Sequence, residues 1–125
     1  MAKPDSWMPM VTQNLIAEGW RTPNTYAGHF DEIPSAPGVY LFLVHRDDWD
    51  APGIGYVGKS TCLHRRIERH KVLRAISGDN PDALIQRWFL ARPAEEITGL
   101  EAETIRKFNP AYNIQLRPRG FCGQA

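Results

Sequence analysis

The sequence predicts an α/β (α+β) domain with the element order β-β-α-β-α and a possible final short strand. Three observations carry this. "GVYLFLV", residues 38–44, is an unbroken apolar run of β-branched and aromatic residues, as in a buried strand. "ALIQRWFLA", residues 83–91, is a further strand candidate. Between them, and again after Pro93, the pattern turns helical, with apolar residues spaced along one face. The length, 125 residues, fits one domain, and a hydrophobic fraction of 42% can supply its core.

Residues 1–34 read as an N-terminal extension. "SWMPMVTQNLIAEGW" can hold a short helix through Val11, Leu15 and Ile16, and "RTPN" and "EIPSAPG" then break it. The compact part spans 35–118. After the first strand, "HRDDWDAPGIG" is a polar, turn-rich connection, and "YVG" is short and β-prone, so the two strands are expected to pair as a hairpin. Ser60 or Thr61 can cap the next element, a helix from Cys62 to Ile76 with Leu63, Ile67, Leu73 and Ile76 on one face. "SGDNPD" ends it. Thr98 and Glu101 have capping-box spacing, which predicts a helix from about Gly99 to Phe108, stopped by "NP". "AYNIQL" is the candidate final strand, and 119–125 form a tail.

Net charge is +1, but its distribution is uneven. Between Lys59 and Arg74 stand six cations (Lys59, Arg65, Arg66, Arg69, Lys71, Arg74) against one anion, a local +5 that leaves the rest at −4. So focused a patch suits a polyanion, nucleic acid above all; the plain alternative is a solvated helix face. No apolar run reaches the roughly 18 residues of a membrane span, and "MAKPDSWMPM" lacks the apolar stretch of a secretory signal. Cys62 and Cys122 form no metal-ligand pattern and read as free thiols, which points to the cytoplasm.

"GIGYVGKST", residues 53–61, admits two interpretations. From Gly53 it matches G-x-x-x-x-G-K-S, the phosphate loop of nucleoside triphosphatases. That loop must follow a buried strand directly, whereas "HRDDWDAP" precedes Gly53, and Tyr56 and Val57 are β-formers. No later strand ends in an acidic residue to hold magnesium, since "ALIQRWFLA" runs into Arg-Pro. The match is accidental.

The second interpretation uses more residues. Gly38-Val39-Tyr40 and Tyr56-Val57-Gly58 lie on adjacent strands; Arg66 follows Tyr56 by ten residues and His70 follows Arg66 by four, a spacing that shares a helix face. Glu101 heads a later helix, and Asn113 stands in "NPAYN". In these elements the chain resembles the GIY-YIG nuclease domain over roughly residues 36 to 116, nearest in pattern to the N-terminal nuclease domain of the excision-repair incision subunit. The gap from Tyr40 to Tyr56, sixteen residues, is longer than is usual there. The resemblance implies a small three-stranded, mainly antiparallel sheet flanked by helices, and a metal-dependent endonuclease acting on nucleic acid, DNA favoured. It implies one divalent ion, Mg2+ or Mn2+, held by Glu101, a single carboxylate that leaves room for waters.

By the same resemblance Tyr40 is the candidate general base, Tyr56 orients water or phosphate, and Arg66 grips the scissile phosphate with its planar fork. His70 is expected to hydrogen-bond to Tyr40 and take up its proton. Lys59, Arg65, Arg69, Lys71 and Asn113 are the substrate-contact candidates, although the amide of Asn113 more simply ties the last segment to the site. Taken singly, each tyrosine would be a core ring with a satisfied hydroxyl; the full set argues otherwise. A monomer or weak dimer without membrane association is expected. The rivals are an inactive nucleic-acid-binding module on the same fold and a nuclease toxin or defence effector.

Overall fold

The computed structural model describes residues 9–23, 32–46, 48–49, 52–68 and 70–115. In chain order the elements are α1 (Pro9–Ala17), β1 (Gly38–His45), β2 (Gly53–Ser60), α2 (Leu63–Glu68), α3 (Lys71–Asp79), β3 (Leu84–Ala91), a 3-10 turn (Ala94–Glu96), α4 (Ile97–Phe108) and α5 (Ala111–Gln115). The strands form one antiparallel sheet in the order β2-β1-β3.

β1 is the middle strand, and its alternating side chains serve two cores. Val39, Leu41 and Leu43 pack with Leu15, Trp20, Ile54, Val57, Trp88, Leu90 and Ile97 on one face. Tyr40, Phe42 and Val44 pack with Leu63, Ile67, Val72, Ile76, Phe89 and Tyr112 on the other. A strand covered on both faces needs a continuous apolar run, which is why "GVYLFLV" shows no polar alternation.

β2 takes in the whole of "GIGYVGKS". Phe42 pairs with Tyr56 and Leu43 with Ile54, so Gly55 is the extra residue of a β-bulge. A Cβ there would stand 2.7 Å from Val44 Cγ2. The glycines of the triphosphatase-like pattern are therefore strand residues, not a phosphate-cradling loop. The long β1–β2 connection is anchored by Arg46, which donates to both carboxylate oxygens of Asp48 at 2.8 Å and also to the Tyr112 hydroxyl. Tyr112 in turn donates to Asp79 at 3.1 Å.

Four sequence expectations change. The helix expected over Cys62–Ile76 is two helices, α2 ending at Glu68 and α3 beginning at Lys71. Its buried residues explain this: Ile67 and Val72 are five apart, which on a continuous helix is about 140° of rotation, so both reach the core only if the chain breaks between them. The capping box is absent. α4 continues from the 3-10 turn, Glu96 makes no side-chain cap bond, and the Thr98 hydroxyl instead accepts from Lys59 Nζ at 3.0 Å. The final strand is a short helix, α5. Lastly, the expected extension is not separate, because Leu15 and Trp20 lie in the core at 2% and 3% exposure. Arg21 also exchanges two backbone hydrogen bonds with Phe89, extending the sheet past β3. The C-terminal tail, with Cys122, lies outside the described residues.

Trp20→Ala is expected to cost about 3–5 kcal/mol, the usual penalty for emptying an indole-sized core position. Urea unfolding of the full chain checks this; a loss below about 1 kcal/mol would make the N-terminal segment a mere appendage.

Candidate active site

The site forms where the edge strand β2 meets α2, α3 and α4. Tyr40 pairs with Gly58 across the strands and Phe42 with Tyr56, so both tyrosines border the same core. Their ring centroids are 6.3 Å apart. A Cβ on Gly58 would fall 2.5 Å from Tyr40 Cζ, so the missing side chain lets the Tyr40 ring lie across β2. At the end of that ring, Arg66 Nε donates to the Tyr40 hydroxyl at 3.4 Å. α2 is held beside β1 because the Leu63 and His64 amides donate to the Ala36 and Pro34 carbonyls, at 2.9 and 3.0 Å.

Glu101 comes from α4. Its carboxylate is 4.0 Å from Lys59 Nζ, and its charge is felt by both Tyr40 and Tyr56. Lys59, expected near the phosphate, thus sits against Thr98 and Glu101. Asn113 spends both ends of its amide on one residue. Its Oδ1 accepts from the Val57 amide and its Nδ2 donates to the Val57 carbonyl, each at 2.8 Å. It imitates a neighbouring strand at the edge of β2, with one bond made at each end of the amide.

His70 lies in the break between α2 and α3, buried, with its ring 5.3 Å from Tyr40 and 4.8 Å from Tyr56. The expected proton transfer from Tyr40 does not fit this placement. Its Nδ1 accepts from the Val72 amide at 3.1 Å as the cap of α3, and it no longer shares a helix with Arg66. Tyr56, Arg65, Arg66, His70 and Lys71, with Ser60, Thr61 and Cys62, line an open groove of about 670 Å³. Arg69 lies outside the described residues.

The electrostatics follow from burial. The Tyr40 phenol is pushed well above its ordinary value by burial, against the pull of the Arg66 hydrogen bond. Tyr56 is raised for the same first reason. In the free site the pull of Arg66 toward the phenolate is outweighed by burial, and Tyr40 stays a neutral phenol. His70 is pushed down to about 4 by burial, helped by Arg66 and Lys71. Burial also raises Glu101, and Lys59 only partly offsets it. A half-buried carboxylate with one cation at 4.0 Å still has capacity for positive charge, which fits a divalent ion that keeps most of its waters. Among the described residues no group of three or more His, Cys, Asp or Glu could enclose a metal, so a closed structural site is absent there. One contributor escapes the sequence reading, Thr98, which its spacing assigns to the cap; Gly58 reads as part of the motif, but the room it leaves for the Tyr40 ring does not show there.

No protein-family model matches the sequence. Among curated proteins, the chain is 32% identical over 92 residues to the UvrABC system protein C of Acidothermus cellulolyticus, covering 69% of this chain and 13% of that one. It is 37% identical over 93 residues to the same protein of Nitratidesulfovibrio vulgaris, covering 68% and 12%. The match thus spans a small part of those longer relatives. Among solved structures, a tyrosine-to-phenylalanine point mutant of the GIY-YIG N-terminal endonuclease domain of UvrC from Thermotoga maritima, bound to its catalytic divalent cation, is 27% identical, covering 65% of this chain and 86% of that one with a TM-score of 0.44. Its magnesium-bound form is 23% identical, covering 85% and 99%, with a TM-score of 0.44. With the Gly-Val-Tyr, Tyr-Val-Gly, Arg66, Glu101 and Asn113 elements in order and these sequence relatives over two thirds of its length, the chain belongs to the GIY-YIG nuclease superfamily.

Proposed function

We propose that the chain is an endonuclease that hydrolyses nucleic-acid phosphodiester bonds, with DNA as substrate and one divalent ion, magnesium or manganese, as cofactor. One observation carries the proposal. Arg66, the two phenols and the under-compensated Glu101 carboxylate converge on one edge of the sheet, beside a groove lined by Arg65, Arg66 and Lys71. In this reading Glu101 holds the ion, which when bound supplies positive charge for the developing oxyanion. Arg66 binds a phosphate oxygen and keeps Nε on the Tyr40 hydroxyl, the bond that favours release of the phenolic proton. Tyr56, half-buried on the groove wall, orients the attacking water. Arg65 and Lys71 steer the backbone into the groove.

A second reading has its own support. With burial holding Tyr40 as a neutral phenol, the free site has no ready base, as in a module that binds nucleic acid without cutting it. Labelled single- and double-stranded DNA and RNA, incubated with magnesium or with chelator, separate the two: cleavage in magnesium supports the nuclease, and binding without cleavage supports the silent module.

Three outcomes are expected. Cleavage disappears in chelator and in Glu101→Ala while the melting temperature stays near that of the parent; comparable cutting by Glu101→Ala removes Glu101 as the ligand. Arg66→Ala abolishes turnover and Arg65→Ala mainly weakens binding, because neighbours on a helix point about 100° apart; equal losses of turnover contradict this assignment. Affinity falls with salt at a log–log slope of about −2 to −3 if Arg65, Arg66 and Lys71 each meet a phosphate. A flat titration leaves these cations a solvated face.

A further inference from the structure

We propose, building on the nuclease reading, that His70 is a neutral positioning residue that fixes the junction between α2 and α3, and not the proton acceptor for Tyr40. The geometry assigns its tautomer. Nδ1 accepts the Val72 N–H at 3.1 Å, and a ring nitrogen accepts only when it carries no proton. A neutral ring must then bear its proton on Nε2, so the ring has no second lone pair to offer a phenol. The Nε2 atom is buried, with no hydrogen-bond partner among the described residues. The ring stands edge-on to Tyr40 and Phe42 and tilted against Tyr56, at centroid distances of 5.3, 5.4 and 4.8 Å.

Burial and the two nearest cations disfavour a further cation at this place, and no anionic partner faces the ring from the tyrosines. From β1 and β2 it faces the Tyr40 and Tyr56 phenols, both neutral; from α2 it faces Arg66, and on its own helix Lys71 follows it directly. It also stands at the N-terminus of α3, whose dipole repels positive charge. Protonation of Nδ1 would replace the cap bond with a clash of two N–H groups.

The role follows from where the break lies. α2 is one short element of six residues, and Arg66 stands four positions before His70. The cap on Val72 and the ring's packing set the path of the chain leaving α2, and so help aim Arg66 at the Tyr40 hydroxyl. His70 acts through Arg66 and moves no proton of its own.

Long-range proton–nitrogen NMR of the imidazoles in the full chain tests the assignment without any nuclease activity. The expected spectrum at neutral pH is a neutral ring with Nδ1 bare and Nε2 protonated, unchanged until the pH nears about 4. A ring with Nε2 bare, or one already cationic at pH 6, overturns the proposal. Cleavage by His70→Asn, which restores a cap acceptor, is the second arm. Its rate is expected to stay within about tenfold of the parent with the same pH profile, against the ~10²–10⁴-fold loss that follows removal of a general base. His70→Ala, lacking the acceptor, loses more. If His70→Asn falls by the larger factor, or loses an acidic limb of the profile, His70 is the proton acceptor after all. A parent chain that shows the expected tautomer but cuts nothing refutes the nuclease reading and the link to Arg66, while the capped, neutral histidine stands.

Discussion

Everything in this fold is arranged around a strand with no solvent-facing side. β1 is buried along seven of its eight residues, so both layers of helices exist to keep its two rows of side chains from water. Each large apolar side chain in those rows contributes about 1.5–3 kcal/mol on burial. α2, α3 and α5 cover the Tyr40 row, and α1 and α4 cover the Val39 row. Helices on both faces leave the two outer strands as the exposed margins of the sheet, and unpaired edges invite further pairing. Arg21 blunts the β3 edge with backbone bonds, and Asn113 blunts β2 with a side-chain amide.

The site grows out of that solution. α4 and α5, from opposite helical layers, both pack on β2, so residues from opposite faces come close there. Tyr40 belongs to one face and Glu101 to the helix on the other, yet each is within electrostatic reach of the other. Gly58 makes the crossing possible, because any side chain opposite Tyr40 would occupy the space of its ring. Asn113 holds the same stretch of β2 from outside and keeps Val57 satisfied between the two motif residues Tyr56 and Gly58. A polar side chain thereby fixes the backbone that carries both motif residues.

Burial outweighs nearby charge at nearly every titratable group in the site. Cations surround the groove, which would favour anionic phenols and carboxylates, but desolvation is the first cause of the shift at Tyr40, Tyr56, His70 and Glu101. The free site therefore holds its phenols and His70 neutral beside the Glu101 carboxylate and the Arg66 guanidinium.

The sequence by itself determined the three strands of the sheet, the helix after Pro93 and the identity of the motif residues. "GVYLFLV" declares a strand buried on both faces through composition alone, and Asn109-Pro110 ends α4 through a left-handed Asn followed by a residue that cannot continue a helix. These are local preferences, expressed wherever the segment lies. Tertiary structure decided the rest, because each remaining feature is a contact between distant segments. The break before His70 follows from the need of Ile67 and Val72 to enter one core, and the conversion of "AYNIQL" from strand to helix from an amide that meets Val57 across 56 residues. Thr98 abandons a local cap for a lysine 39 residues away, and Trp20 joins a core that begins at Val39. Spacing in a sequence can count the turns of one helix; it cannot count the contacts that make two helices better than one.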